Sequence, residues 1–278
     1  MRTMLSSLAR IYWIARNTLL EAVRQRLFVI VILLTLVLVG GAVFLREFNF
    51  GSSELKFIAD FGFGALTFFG SILAIVASAQ LFFSEIENRT ALTILAKPVF
   101  RAEFVLGKFF GVFVVLLVFS FLEGGALATV LWFREAAMVS ADPDVFAQGG
   151  AMAYDSIALF VGLQWLKFGV IAAFTVLIAS FAQTSLFAVI TAFLILTICH
   201  LQHLGQDAWA KIENPAARLA AMGVSVVFPN FQIFNLGDRV AAGGDVALPL
   251  VARIAGFACV YVAVLLGLAS YSFRRREI

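Results

Sequence analysis

Six stretches of this chain stay apolar for about the 20 residues that a helix needs to cross a bilayer. They run over about 27–45, 61–83, 104–133, 157–181, 186–204 and 250–273. In lipid every backbone N–H and C=O must find an internal partner, so a spanning segment is either a helix or part of a closed barrel. The runs are continuously apolar and lack the alternation of barrel strands. The expectation is an all-α polytopic membrane protein with six transmembrane helices, read as one transmembrane domain over residues 1–278. The third run is long enough to tilt or protrude. Composition agrees: 62% of residues are hydrophobic and 13% charged, against about half and about a quarter in a soluble domain.

Ahead of the first run, residues 5–26 are amphipathic. Leu5, Leu8, Ile11, Tyr12, Ala15, Leu19 and Ala22 recur at three and four, while Arg10, Asn17, Glu21 and Arg24 form the opposite stripe. With Tyr12 and Trp13, this pattern predicts a basic helix lying in the membrane surface. Five arginines precede the first run within 26 residues, long for the start of a secretory leader, so no cleavable signal peptide is expected.

Lysine and arginine set the orientation. Arg2, Arg10, Arg16, Arg24, Arg26, Arg89, Lys97, Arg101, Lys108 and the run 274–276 fall on one side of the six spans. Fewer fall on the other, where the segment 134–156 also carries Glu135, Asp142, Asp144 and Asp155. Both termini are therefore expected to be cytoplasmic. Residues 182–185 form a tight inner hairpin between the fourth and fifth runs. The longest outer segment is 205–249, with a helix expected over Ile212–Val227 and a turn at Gly243, Gly244 and Pro249. No repeat period is visible.

The chain shows no nucleotide-binding loop. Gly107-Lys108 lacks both the upstream glycine and the following serine or threonine, so no ATPase chemistry is expected in this chain; were it to drive active transport, the energy would come from another subunit or an ion gradient. Cys199, His200 and His203 are fewer donors than a metal site needs, and no metal is expected. Cys199 and Cys259 sit inside apolar runs and read as packing residues. Two ionisable residues lie within spans, where such groups are costly and are functional candidates. Glu123 and Lys167 fall at a similar depth, about ten residues from the outer ends of their runs, roughly 15 Å. That depth allows an ion pair, which either staples two helices or lines a polar path, with Gln80 and Gln164 adding polar contacts.

The longest charge-bearing connection on the inner side is Glu85 to Lys108, EIENRTALTILAKPVFRAEFVLGK. Its acidic start, the Thr-Leu segment, Leu95 three residues before Pro98, Arg101, Phe104 and the closing Gly107-Lys108 resemble the cytoplasmic loop of ABC-2 type transporter permeases. Within that family the chain looks most like the group associated with multicopper-enzyme maturation, such as nitrous oxide reductase assembly. Letter-level likeness covers only this stretch, while the architecture agrees along the whole chain.

The resemblance implies a permease that works as a homodimer or pseudo-dimer, each half bound to a separate ABC ATP-binding subunit that holds ATP and Mg. The permease itself would be no enzyme and would carry no cofactor. Residues about 86–97 would form a coupling helix docking in that subunit. Glu85, Glu87, Arg89 and Arg101 would make charged contacts, Leu92 and Leu95 an apolar anchor, and Thr90 and Pro98 would shape the segment. Partners would be the ATP-binding subunit, a second copy and membrane lipids, without nucleic acid, in the bacterial cytoplasmic (inner) membrane. The alternative is an ion-coupled secondary transporter or a membrane assembly factor using Glu123 and Lys167. Nothing in the sequence selects a substrate.

Overall fold

In the computed structural model, residues 2–45, 53–87, 100–141, 152–209, 214, 216, 219, 223–225, 227–242, 244 and 246–275 are described. Among them the elements are α1 (Arg2–Arg24), α2 (Arg26–Gly41), α3 (Glu54–Glu87), α4 (Arg101–Ala141), α5 (Tyr154–Phe181), α6 (Ser185–Trp209), a 3-10 turn (Phe231–Phe234), α7 (Gly237–Ala241) and α8 (Leu248–Arg274). No strand occurs among the described residues. Helices α3, α4, α5, α6 and α8 are long and apolar enough to cross a membrane, and a sixth span is reached by counting α1 and α2 together.

That first span differs from the expected run over 27–45. Helix α2 has only 16 residues, roughly 24 Å at helical rise, short of the bilayer core. Gln25 adopts an extended backbone, and the chain bends by 63° between α1 and α2. The α1 helix is thereby turned to lie against the start of α4.

The other helices overrun their apolar stretches. Helix α3 has 34 residues and α4 has 41, roughly 50 and 60 Å long, against a hydrocarbon core of about 30 Å. Hydropathy stops at charges such as Glu54, Lys56 and Arg134, whereas backbone hydrogen bonding does not. Local chemistry sets the ends of two helices. Glu103 reaches back to the backbone N–H of Phe100 at 3.1 Å, half of a capping box opening α4. Pro249 sits in the first turn of α8, where its missing N–H costs nothing.

Helices α3, α4 and α5 form the centre. Helix α5 buries 72% of its apolar stretch, whereas α6 and α8 bury 22% each and stand at the periphery. Phe63 and Phe160 meet at 4.4 Å between ring centroids, and the Gly70 backbone lies against the Phe168 ring. This register sets α3 and α5 side by side in the same direction. Inside the helices, Thr35, Ser71, Thr175 and Thr197 donate to carbonyls one turn back, which satisfies their hydroxyls without a partner helix.

Candidate functional site

Two regions gather polar side chains. The first is the end of the bundle where α1, α8 and both flanks of the segment 88–99 come together. That segment itself, with Arg89, Thr90, Leu92, Leu95 and Pro98, lies outside the described residues, and so does the side chain of Glu87. The flanks are firmly tied. On the α3 side, Glu85 is buried and its Oε1 lies 2.6 Å from Lys108 Nζ. Glu21 of α1 approaches the same ammonium at 3.6 Å and accepts a hydrogen bond from Ser84 at 2.8 Å. On the α4 side, Arg10 grips Glu103 with two N–H groups, both at 2.7 Å. Arg101 donates to the carbonyls of Phe273 and Arg274 at 3.1 and 2.9 Å. It thus places a cation at the negative end of α8. Beneath these groups, the rings of Phe82, Phe104 and Phe273 meet at 5.4–5.8 Å.

These contacts exist because α1 can approach α4 closely. A Cβ on Gly107 would meet Ile14 at 2.6 Å, and one on Gly111 would meet Thr18 at 2.5 Å. Two glycines four apart present one bare helix stripe, and α1 lies in it. Glu85 and Arg101, expected as contacts to a partner, spend their charges inside the chain. Sequence reading missed Arg10, Glu21, Glu103 and the role of Lys108. The signal was present in the polar stripe of residues 5–26, but only the fold says which helix that stripe faces.

The second region is a cleft of about 750 Å³ between α3, α5, α6, the 3-10 turn and α7. Lys167 lines it and is 2% exposed. The expected contact between Lys167 and Glu123 is absent. Lys167 Nζ lies 3.3 Å from His200 Nε2 and 5.8 Å from the centre of the Phe231 ring. Glu123 is 1% exposed, and neither carboxylate oxygen has a hydrogen-bond partner among the described residues. Equal depth along two helices fixes height but leaves azimuth open, and α4 and α5 turn these two side chains to different neighbours. Gln164 donates to the Phe234 carbonyl at 3.0 Å, and Gln80 is exposed.

The histidines are committed locally. His203 Nδ1 lies 2.8 Å from the His200 carbonyl, and His200 Nδ1 lies 3.1 Å from the Leu196 carbonyl. A carbonyl only accepts, so each Nδ1 carries the proton. The Nε2 of His200 is then an acceptor for Lys167. Cys199 is buried and Cys259 exposed, both free.

The family model described as ABC-2 family transporter protein matches residues 12–278. A search of curated proteins returns no match.

Proposed function

Because this chain belongs to the ABC-2 family of transporter proteins, we propose that it is the permease subunit of an ATP-driven ABC-2 type exporter. It is a membrane transport component. ATP and Mg would be bound by a separate ABC subunit that docks on residues about 86–97, and two permease copies would enclose the path. The family match carries this reading. The tied flanks of 88–99 support it mechanically. Lys108 holds α3 to α1, Arg10 holds α4 to α1, and Arg101 holds α4 to α8. A push on a short segment held this way moves several helices as one body. The basic residues at this end support an orientation with both termini cytoplasmic, and the family reading supports the inner membrane. The pattern over 85–108 supports a place near the permeases of multicopper-enzyme maturation.

The test is co-purification of the tagged chain from native membranes, followed by mass spectrometry and an ATPase assay. A stoichiometric ATP-binding subunit is expected. It should be lost from Leu92→Glu, Leu95→Glu while the helix content of the permease stays unchanged. A chain that purifies without any ATPase, or a partner retained at full stoichiometry by the double variant, overturns the assignment.

A further inference from the structure

We infer that the Lys167–His200 end of the membrane cleft binds the oxyanion headgroup of an amphiphile whose apolar tail lies along the cleft toward lipid. As a cargo site this rests on the permease reading above.

The argument starts from the ammonium group. Lys167 is 2% exposed and no carboxylate among the described residues pairs with it. An ammonium has three N–H donors. His200 Nε2 accepts one at 3.3 Å, and the Phe231 ring face at 5.8 Å adds an attraction without accepting a full bond. His200 gives its own proton to Leu196, so it is neutral in this arrangement and supplies no charge. A cation enclosed among helices needs a counter-charge, and here the occupant of the cleft has to bring it.

One hydroxyl nearby fits an oxyanion. Thr67 and Ser71 line the cleft from α3 at the level of Lys167, as the pairing of Gly70 with Phe168 shows; Ser71 gives its proton to the Thr67 carbonyl, which leaves the Thr67 hydroxyl to donate to an anion. The cleft also contains two carboxylates, Asp60 and Asp238. Asp60 lies about ten residues along α3 from that level, roughly 15 Å away, and Asp238 of α7 lies within electrostatic range of Asp60. Charge therefore divides along the cleft, and the anion belongs at the Lys167 end. The remaining wall is largely aromatic and aliphatic. Phe68 and Leu201, both on this wall, are 62% and 53% exposed, so its edge is apolar and open to the side. A volume of about 750 Å³ falls in the range that encloses small-molecule ligands. A single anionic head on an apolar tail satisfies the cation, the wall and the sideways opening together.

The experiment uses the purified full chain in detergent and reads its unfolding midpoint by tryptophan fluorescence. Oleate, oleyl phosphate, oleyl alcohol and oleylamine are titrated separately. Oleate or oleyl phosphate is expected to raise the midpoint by about 5–10 °C near hundredfold saturation, the better of the two identifying carboxylate or phosphate. The alcohol and the amine should give less than a third of that shift. Lys167→Arg should keep the anion shift and Lys167→Met should lose it. Thr67→Glu covers the case in which Lys167→Met does not fold. It builds a carboxylate into the cleft, so it should raise the intrinsic midpoint and abolish the anion shift. Equal shifts from alcohol and anion, no shift from either anion, or an anion shift that survives in Lys167→Met or Thr67→Glu overturns the inference. Binding is read on the chain alone and the ATPase partnership by co-purification, so either reading can fail without the other.

Discussion

Glu123 carries a carboxylate into the helix bundle, 1% exposed, with no hydrogen bond to either oxygen among the described residues. A buried polar group without a partner costs about 1–3 kcal/mol on mutational scales. Replacement by an apolar residue of similar length removes that cost and leaves little void. Glu123→Met is therefore expected to stabilise the chain by about 1–3 kcal/mol, seen as a higher unfolding midpoint in detergent. Because Glu123 does not touch Lys167, a double-mutant cycle of Glu123→Met with Lys167→Met should be additive to within about 0.5 kcal/mol. A larger coupling would mean that the two side chains meet after all. A loss of transport in a stabilised Glu123→Met chain would mark the carboxylate as kept for function. Lys108 is the opposite case. It is as deeply buried, but Glu85 and Glu21 surround its ammonium, so its charge is answered within the chain.

Helix α1 is held to α4 by shape before charge. At Gly107 and Gly111 any side chain would run into Ile14 and Thr18, and overpacking of this kind costs about 1–3 kcal/mol. Gly107→Ala with Gly111→Ala should lift α1 from α4, lower the unfolding midpoint and speed trypsin cleavage after Arg16 and Arg24, whose side chains are exposed but whose backbone the docked helix protects. Gly125→Ala on the same helix is the control, since nothing lies within 4 Å of a Cβ there, and it should leave both readouts unchanged. Ile14→Ala should partly rescue the double variant. Unaltered trypsin cleavage in the double variant would show that the glycine stripe does not hold α1. These elements also show what hydropathy can convey. The apolar runs over 157–181 and 250–273 come within a few residues of α5 and α8, because in lipid an apolar run has to close its own backbone hydrogen bonds. The same signal falls short on α3 and α4, whose helices continue through charges at their ends. It overestimates the first span at its far end, because the helix stops at Gly41 while the apolar residues run on through a turn to 45. The candidate site was less legible. Lys167 stood out as a charge in a span, but its neighbours His200 and Phe231 come from parts of the chain more than thirty residues away. Only the rotation of each helix about its axis decides such contacts, and no spacing in the sequence records it.

Across the whole molecule, α1 behaves as a brace. It lies along α4, reaches α3 where Glu21 accepts from Ser84, and continues through a 63° bend into α2. Its second charged tie is Arg10 to Glu103, the residue that also caps α4. If ATP-driven movement enters through residues 88–99, this tie joins the first turn of α4 to the helix leading into the first span. Breaking it should leave each helix intact while weakening transmission between them. Changes along such a path typically alter coupling about two- to thirtyfold. Arg10→Glu is expected to lower substrate-stimulated ATP hydrolysis of the assembled transporter within that range, with basal hydrolysis unchanged. The charge-exchanged chain, Arg10→Glu with Glu103→Arg, restores attraction between the same two positions and should recover most of the stimulation. It does so although Glu103→Arg removes the cap on Phe100, because the cap serves only α4 whereas the ion pair joins two helices. Stimulation that is unaffected in Arg10→Glu would remove α1 from the transmission path. Stimulation lost in Arg10→Glu and not recovered by the exchange would show that attraction between these two positions is not what carries it.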